Sequence, residues 1–380
     1  MEIYVVQQGD SVERISRVQN VRAEEIIYIN QLVYPYILAV GQALLIPAAS
    51  WQENERPLAH ILGYAYPFIS PWVLSESLPD LTAIHVFSYG FTEDGQLVEP
   101  VLDDTWMIEA SSSQGTRPVL TFTSIGPDGR FHSSLIQVLL ESQSLQEKIL
   151  WQLGAVMKDK GFQGLDIDFE YIPAEEKENF AGFVELARQV MNLFGYPVSV
   201  ALAPKTSSDQ KGLLYEGMDY GRLGQAANQV MLMTYEWGYS YGPPMAVAPL
   251  RMVRRVAEYA LTEIPADRII LGVPNYGYDW PLPYERGTTK ARTLGNVEAV
   301  QLAVSRGASI QFDEEAQSPY FHYLQDGVRH EVWFEDVRSY EAKFRLVQEL
   351  NLKGVGFWQM MQLFRAGLLL ARDRFHILKF

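Results

Sequence analysis

The sequence predicts an α/β fold in which eight parallel strands, joined by helices, close into a barrel that follows a small N-terminal domain. Two observations lead to this prediction. From about residue 58 onward, apolar runs of strand length alternate with amphipathic helical stretches, which is the order of a parallel barrel of the TIM (β/α)8 type. The first 47 residues have their own strand, helix, helix, strand pattern. A chain of 380 residues is long enough for one large and one small domain.

The N-terminal βααβ domain is predicted over residues 1–48. IYVVQQGDS predicts a strand and a turn, after which Asp10 or Ser11 caps a helix. RAEEIIYIN has apolar residues at helical spacing, and GQALLIP predicts a closing strand that Pro47 ends. The polar, proline-bounded residues 49–57 are predicted to link this domain to the barrel.

The barrel domain is predicted over residues 58–380. Its strands are predicted at residues 60–66, 81–91, 117–124, 162–171, 196–204, 229–237, 268–278 and 354–362. Their nearly continuous apolar character is typical of parallel strands, which helices cover on both faces. Residues 134–161 are predicted to form two amphipathic helices, and residues 174–195 another.

The interval between the seventh and eighth strands is too long for a simple helical crossover. It contains YFHYLQDGVRHEVWF, in which Asp326–Gly327 predicts the turn of a hairpin. We therefore expect a small α+β insertion at about residues 281–336, which walls one side of the cleft.

Composition and charge exclude several functional classes. The net charge is −15 and no basic stripe is present, so no nucleic-acid partner is expected. The chain has no cysteine and its six histidines are scattered, so no metal and no cofactor are expected. No apolar run reaches transmembrane length, and the start MEIYVV lacks the pattern of an ordinary signal peptide. The abundant Trp and Tyr residues indicate core packing or a sugar-binding cleft.

The fourth predicted strand carries three carboxylates in GLDIDFEY, at Asp166, Asp168 and Glu170. Side chains alternate along a strand, so all three point into the barrel, roughly 6–7 Å from one to the next. Desolvation and mutual repulsion raise the pKa of carboxyl groups in this arrangement and favour sharing of protons. Asp166 lies deepest, and Glu170 lies nearest the carboxyl end of the strand, where active sites of such barrels open.

This arrangement makes Glu170 a protonated acid at working pH, as general acid catalysis of glycoside cleavage requires. Two other interpretations are a buried ion network and an empty metal site. A metal would need further converging ligands, and the sequence offers no histidine pairing of that kind.

The carboxylate strand resembles the signature of family 18 glycoside hydrolases, Asp-Gly-x-Asp-x-Asp-x-Glu. The matching residues are Gly164, Asp166, Asp168 and Glu170, whereas Gln163 stands where the first Asp is usual. MTYEW resembles the sixth-strand motif Met-x-Tyr-Asp, with Glu236 in place of the Asp, and FWQM resembles the eighth-strand segment that carries a Trp. The resemblance covers about residues 58–370. The third-strand pattern of chitinases, SxGG, is replaced by TFTSIG.

The resemblance implies a substrate-assisted reaction, in which the 2-acetamido oxygen of the sugar is the nucleophile. It implies that the catalytic residues are Glu170, Asp168, Tyr235 and Asp166. It implies substrate binding by Trp358, Met233, Glu236 and, on the cleft wall, Tyr64. In this scheme Glu170 is the acid and then the base, Asp168 orients the acetamide, and Tyr235 hydrogen-bonds its carbonyl.

The N-terminal domain resembles a LysM module, a type that binds N-acetylglucosamine-containing glycans. The matching residues are Tyr4, Val6, Gly9, Asp10, Ser11, Ile15, Ile26, Asn30, Gly41, Gln42, Leu44, Ile46 and Pro47. A packing domain without a ligand is the alternative interpretation.

The two resemblances together are typical of the spore cortex-lytic N-acetylglucosaminidases of endospore-forming bacteria. They imply peptidoglycan as the partner and a location in the spore or cell wall. Two alternatives remain, a chitinase or chitooligosaccharide hydrolase and a non-catalytic glycan-binding protein. Retention of Glu170 argues against the second alternative.

Overall fold

The computed structural model describes residues 1–47 and 56–380. The N-terminal domain is built from β1 (Glu2–Val5), α1 (Val12–Gln19), α2 (Ala23–Ile29) and β2 (Ala43–Ile46), with β1 and β2 antiparallel. This confirms the predicted βααβ order. Ser11 caps α1, because its hydroxyl accepts a hydrogen bond from the Arg14 amide at 3.2 Å. Most of the predicted linker at residues 49–57 lies outside the described residues.

Fifteen further strands follow in the described part of the chain. They are β3 (Leu58–Ala65), β4 (Ala83–Phe91), β5 (Leu97–Val98), β6 (Arg117–Thr123), β7 (Leu165–Asp168), β8 (Val198–Leu202), β9 (Gln229–Leu232), β10 (Ile269–Pro274), β11 (Gly277–Leu282), β12 (Arg292–Leu294), β13 (Gln311–Asp313), β14 (Ser318–Gln325), β15 (Val328–Trp333), β16 (Gly354–Trp358) and β17 (His376–Ile377).

Eight of these strands form the predicted barrel. The parallel order is β3, β4, β6, β7, β8, β9, β10 and β16, and β16 pairs again with β3 to close the ring. All eight coincide with strands predicted from apolar runs. The strand predicted over residues 162–171 is shorter than expected, since β7 pairs only up to Asp168.

The helices outside the N-terminal domain cover the barrel and the insertion. They are α3 (Pro71–Ser77), α4 (Thr105–Ser113), α5 (Ser133–Leu140), α6 (Gln143–Lys160), α7 (Lys177–Asn192), α8 (Tyr220–Ala226), α9 (Leu250–Glu263), α10 (Asn296–Ser305), α11 (Val337–Glu349) and α12 (Arg365–Arg374). Short 3₁₀ helices occupy Leu78–Asp80, Ala174–Glu176 and Ala266–Arg268. The helices pack their apolar residues on the outer faces of the strands in one large buried cluster.

The insertion between β10 and β16 is an antiparallel five-stranded sheet in the order β12, β11, β15, β14, β13, packed with α10. Its β14–β15 hairpin turns at Asp326 and Gly327, as predicted. Both residues have positive φ, 51° and 80°, which is the geometry that tight two-residue hairpins need. The sheet begins at Gly277 and ends at Trp333.

The N-terminal domain packs directly on the barrel. Ile29 and Leu45 belong to the same buried cluster as the barrel helices. At the start of α12, the Arg365 guanidinium donates to the carbonyl oxygen of Tyr28 at 2.9 Å and lies 4.0 Å over its ring. These contacts hold the N-terminal domain in a fixed position on the barrel.

Gly41 marks the closest approach between this domain and the insertion. Its φ is +83°, and a Cβ atom at this position would lie 1.8 Å from the Ile310 carbonyl oxygen. A glycine is required here by both the backbone conformation and the available space.

Candidate active site

A cleft of about 890 Å³ opens at the carboxyl ends of the barrel strands. Six of the eight residues predicted for the site line it together, namely Asp168, Glu170, Met233, Tyr235, Glu236 and Trp358. They converge because Asp168 ends β7, Trp358 ends β16, and residues 233–236 directly follow β9. Carboxyl ends of parallel strands meet at one rim of a barrel, where its active site opens.

Asp166 lies below the cleft and is fully buried. Its carboxylate accepts hydrogen bonds from the Tyr64 hydroxyl at 3.1 Å and from the Ser199 hydroxyl, and His85 Nδ1 lies 3.3 Å from its Oδ2 atom. These contacts hold Asp166 at a fixed depth below Asp168.

Tyr64 was expected on the cleft wall, and the structure places it elsewhere. Its side chain is 2% exposed and does not line the cleft. The Trp358 ring, which does line the cleft, packs against Tyr64 with its centroid 5.8 Å from that of the tyrosine. Tyr64 therefore contacts Asp166 and not the space available to a ligand.

Asp168, at the end of β7, is a strongly perturbed carboxyl group. Burial raises its pKa well above the usual range, and the charges of Glu170 and Asp166 raise it further. Its Oδ1 atom is buried and has no hydrogen-bond partner among the described residues. A buried acceptor without a partner is costly, so Asp168 favours the protonated form or a ligand N–H at this position.

Glu170 lies two residues beyond the end of β7, at the mouth of the cleft, where solvent reaches part of the residue. Burial of its carboxyl group raises the pKa of Glu170, and the negative charge of Glu236 raises it further. A carboxyl group with a raised pKa keeps its proton toward neutral pH, which is the property of a general acid.

Tyr235 and Trp358 complete the wall around these carboxyl groups. Burial raises the pKa of Tyr235 well above its usual range, and the charges of Asp168 and Glu170 add to this effect. Its hydroxyl therefore stays protonated and can donate a hydrogen bond. The Trp358 ring packs edge-on against Phe87, with centroids 5.0 Å apart, and against Tyr66, with centroids 6.2 Å apart. This packing holds the indole in place at the cleft.

Glu236 is held by two tyrosines that sequence reasoning missed, Tyr276 between β10 and β11 and Tyr278 on β11. Its Oε1 atom accepts hydrogen bonds from the hydroxyls of Tyr276 and, at 2.8 Å, Tyr278. Burial raises the pKa of Glu236, and these two hydrogen bonds oppose that rise. The alternation of Tyr276 and Tyr278 in NYGY, within the strand predicted over residues 268–278, was a usable signal, because alternate residues of a strand share one face.

As pH rises, a Glu236→Gln variant is expected to lose activity earlier than the unmodified protein, that is, at a lower pH. The Glu236 carboxylate raises the pKa of Glu170, so its removal lowers that pKa, and the proton of the acid is lost sooner as pH rises. The alkaline limb of a kcat profile should therefore move toward lower pH. Glu175→Gln, at an exposed position, should leave the limb in place. An unmoved limb in Glu236→Gln would show that the two carboxyl groups are not coupled.

Several aromatic residues of the cleft also escaped prediction, namely Tyr66, Phe87, Phe131, Tyr215 and Trp237. Tyr66 follows β3 and Phe87 lies on β4, so their strand positions were a signal. Phe131 and Tyr215 come from the loops that follow β6 and β8, and the sequence has no local pattern that brings them to the cleft.

Gln163, which replaces the first Asp of the signature, lies before β7 and is exposed. Its backbone N–H donates a hydrogen bond to the Pro118 carbonyl oxygen at 2.8 Å. The replacement is therefore at the amino end of the strand, away from the cleft.

Within residues 1–47 and 56–380, no group of three or more His, Asp or Glu side chains is arranged to hold a metal ion. The same residues include no helix with the length and apolar character needed to cross a bilayer.

Comparison with known proteins gives consistent matches over both domains. The family model for glycosyl hydrolases family 18 matches residues 69–362, and the LysM domain model matches residues 4–47. The cortical fragment-lytic enzyme of Bacillus subtilis is 38% identical, with 100% of this chain and 99% of that protein covered.

Two solved structures have the same architecture at 34% identity. They are the spore cortex-lytic enzymes SleL of Bacillus megaterium and of Bacillus cereus, each with a TM-score of 0.82, covering 99% of this chain and 87% of theirs. The matched region contains the barrel and the whole cleft. The chain therefore belongs to the glycosyl hydrolases of family 18 and is a glycoside hydrolase with an N-terminal LysM domain.

Proposed function

We propose that this protein hydrolyses N-acetylglucosaminyl bonds of peptidoglycan, with retention of anomeric configuration and assistance from the substrate. The observation that supports this most is the convergence of Asp168, Glu170, Tyr235 and Trp358 on one cleft. The cleft offers one exposed acid, one buried carboxyl group with an unpartnered oxygen, and a tyrosine hydroxyl that keeps its proton.

The first step is cleavage of the glycosidic bond. The proton of Glu170 passes to the glycosidic oxygen, and the bond from that oxygen to the anomeric carbon breaks. The oxygen of the sugar's own 2-acetamido group forms a bond to the anomeric carbon, which gives a bicyclic oxazolinium ion. Because the nucleophile is already attached to the substrate, this step avoids the entropy cost of bringing in a second reactant.

Asp168 acts in its ionised form, which contact with the acetamido N–H favours, and Tyr235 acts with its hydroxyl protonated. The unpartnered Oδ1 atom of Asp168 accepts the acetamido N–H, and the carboxylate stabilises the positive charge that develops on this nitrogen. Tyr235 donates its hydroxyl to the acetamido oxygen and aligns it with the anomeric carbon. Asp166 supports Asp168 from below.

The second step regenerates the enzyme. Glu170, now ionised, takes a proton from a water molecule that attacks the anomeric carbon, and the bond to the acetamido oxygen breaks. Two displacements at the same carbon retain its configuration. The pKa of Glu170, raised by burial and by Glu236, allows the group to act as acid and base in turn.

The substrate class in this proposal comes from the relatives. The Bacillus subtilis relative is a cortical fragment-lytic enzyme, and the two solved structures are of spore cortex-lytic enzymes. We infer that this protein acts on spore cortex peptidoglycan or its fragments during germination and is located in the spore coat, the cortex or the cell wall. The LysM domain would bind the same glycan and keep the barrel close to it.

Product analysis tests this proposal. Cortex peptidoglycan that contains muramic lactam, vegetative peptidoglycan and chitooligosaccharides are digested separately, reduced with borohydride and analysed by mass spectrometry. We expect fragments with reduced N-acetylglucosamine ends from cortex material. In a parallel digest without borohydride, followed by NMR, we expect β-anomers as first products. Efficient cleavage of chitooligosaccharides alone would indicate a chitinase, and reduced muramic acid ends would contradict the assigned bond.

A thiazoline analogue of the oxazolinium ion tests the mechanism separately. Substrate assistance predicts competitive inhibition by this compound, because transition-state and intermediate mimics bind more tightly than substrate. Lack of inhibition in an active preparation would contradict the substrate-assisted step and leave the bond specificity intact.

A further inference from the structure

A second cavity lies at the opposite end of the barrel from the cleft, where the strands begin. It has a volume of about 490 Å³ including its open mouth. Its basic residues are His60 near the start of β3, Arg117 at the first position of β6, and Lys353 just before β16. Among the described residues that line it, none is Asp or Glu. We call this space the floor cavity.

The guanidinium group of Arg117 forms no ion pair with any residue of the ranges 1–47 and 56–380. Its Nε atom is buried and makes no hydrogen bond with any described residue. The Phe380 ring packs on the guanidinium at 3.5 Å from its centroid, which fixes the plane of the group without satisfying its N–H donors. Burial lowers the pKa of Arg117, which shows that water does not fully solvate the charge.

The three basic groups are close enough to repel one another. Burial lowers the pKa of His60 to about 4, and the charges of Lys353 and Arg117 contribute to that shift. Burial also lowers the pKa of Lys353. The charge of Asp267 opposes this effect, and the charges of Arg268 and Arg117 add to it. A cluster of this kind is unexpected in a chain with a net charge of −15, and it is stabilised by any anion that enters the cavity.

Polar uncharged groups around the cations suit the same ligand. The Oδ1 atom of Asn228 accepts a hydrogen bond from the Val198 amide at 2.8 Å, which leaves the N–H donors of its amide group for a ligand. A guanidinium presents paired N–H donors to two oxygens of one anion, while an ammonium acts as a point charge. Arg117 and Lys353 together therefore match a compact anion with several oxygens.

We propose that the floor cavity binds a small oxyanion, a phosphate or a compact dicarboxylate, between Arg117 and Lys353. This site is separate from the glycan cleft and does not depend on the proposed hydrolysis. The cavity is lined by His85 as well, whose Nδ1 atom lies 3.3 Å from Asp166 on its other side. Two buried side chains, His85 and Ser199, line the floor cavity and also contact Asp166 below the cleft.

Calorimetric titration of the full chain tests the proposal. Inorganic phosphate and malonate are titrated separately at constant ionic strength set with sodium chloride. We expect saturable binding at one site per chain, weakened at least about tenfold in Arg117→Gln and in Lys353→Gln, because each removes a charge-assisted contact. Lys158→Gln, at an exposed lysine of α6, should bind as tightly as the unmodified protein.

The outcomes separate clearly. Tighter binding of phosphate assigns the site to phosphate groups and tighter binding of malonate assigns it to carboxylates, and either result supports the proposal. Absence of saturable binding, or equal affinity in all variants, overturns it. If Arg117→Gln does not fold, Lys353→Gln carries the test, since the lysine is partly exposed and its ammonium group has no hydrogen bond to another described residue.

Discussion

A Glu170→Gln variant is expected to lose about 10²–10⁴-fold in kcat while keeping measurable affinity for glycan, because the amide has no proton to give to the leaving oxygen. The substitution keeps the size and hydrogen-bonding shape of the side chain at the mouth of the cleft. Trp358 and Tyr235, which form the surrounding wall, remain in place. The measurement is turnover of peptidoglycan fragments together with a binding titration on the same material.

The matched control is Glu175→Gln, which makes the same change at an exposed glutamate outside the cleft. This control should retain full activity. Full turnover in Glu170→Gln would exclude Glu170 as the acid. Loss of both turnover and glycan binding would instead assign Glu170 a role in holding the substrate.

An Asp168→Asn variant is expected to lose activity without losing stability. In the proposed mechanism this substitution removes the carboxylate that would orient the acetamide and stabilise its positive charge, which should lower kcat by about 10²–10³-fold. The same change removes a carboxyl group whose pKa is raised by burial and by the charges of Glu170 and Asp166. Its charged form opposes folding, so the midpoint of thermal unfolding at neutral pH should not fall and is expected to rise.

The sign of the stability effect follows from the direction of that pKa shift. A carboxyl group with a raised folded-state pKa stabilises the fold when protonated, and this contribution is lost as pH rises from the unfolded value through the folded value. The difference between Asp168→Asn and the unmodified protein should therefore grow from acidic to neutral pH. Asp159→Asn, at an exposed aspartate of α6, should show no such trend. A lower unfolding midpoint in Asp168→Asn would mean that favourable contacts hold its carboxylate.

The prediction of the barrel from the sequence rested on patterns that operate within one segment. Apolar runs located all eight strands because a strand covered on both faces must be apolar along its whole length. The alternation of Asp166, Asp168 and Glu170 predicted that they share one face. This pattern is also local, because side chains along a strand alternate with a period of two residues. The end of β7 at Asp168 was not predicted, since strand pairing depends on neighbours elsewhere in the chain.

The positions of several side chains in and below the cleft depend on contacts between segments that are distant in the sequence. Tyr64 and Trp358 are far apart in sequence, and only the structure shows that their rings pack together, with centroids 5.8 Å apart. Tyr276 and Tyr278 reach Glu236 because the insertion folds back over the rim.

The sequence by itself determined the order of the two domains, the closed barrel, and which carboxyl groups face its interior, because apolar period and side-chain alternation are properties of each segment. Only the tertiary structure decided how deep Tyr64 lies, which groups surround Glu236, and that Arg117, Lys353 and His60 meet at the barrel floor. These features result from packing between segments that are many residues apart in the sequence. The burial of each group and its distance from other charges are therefore set only when that packing forms.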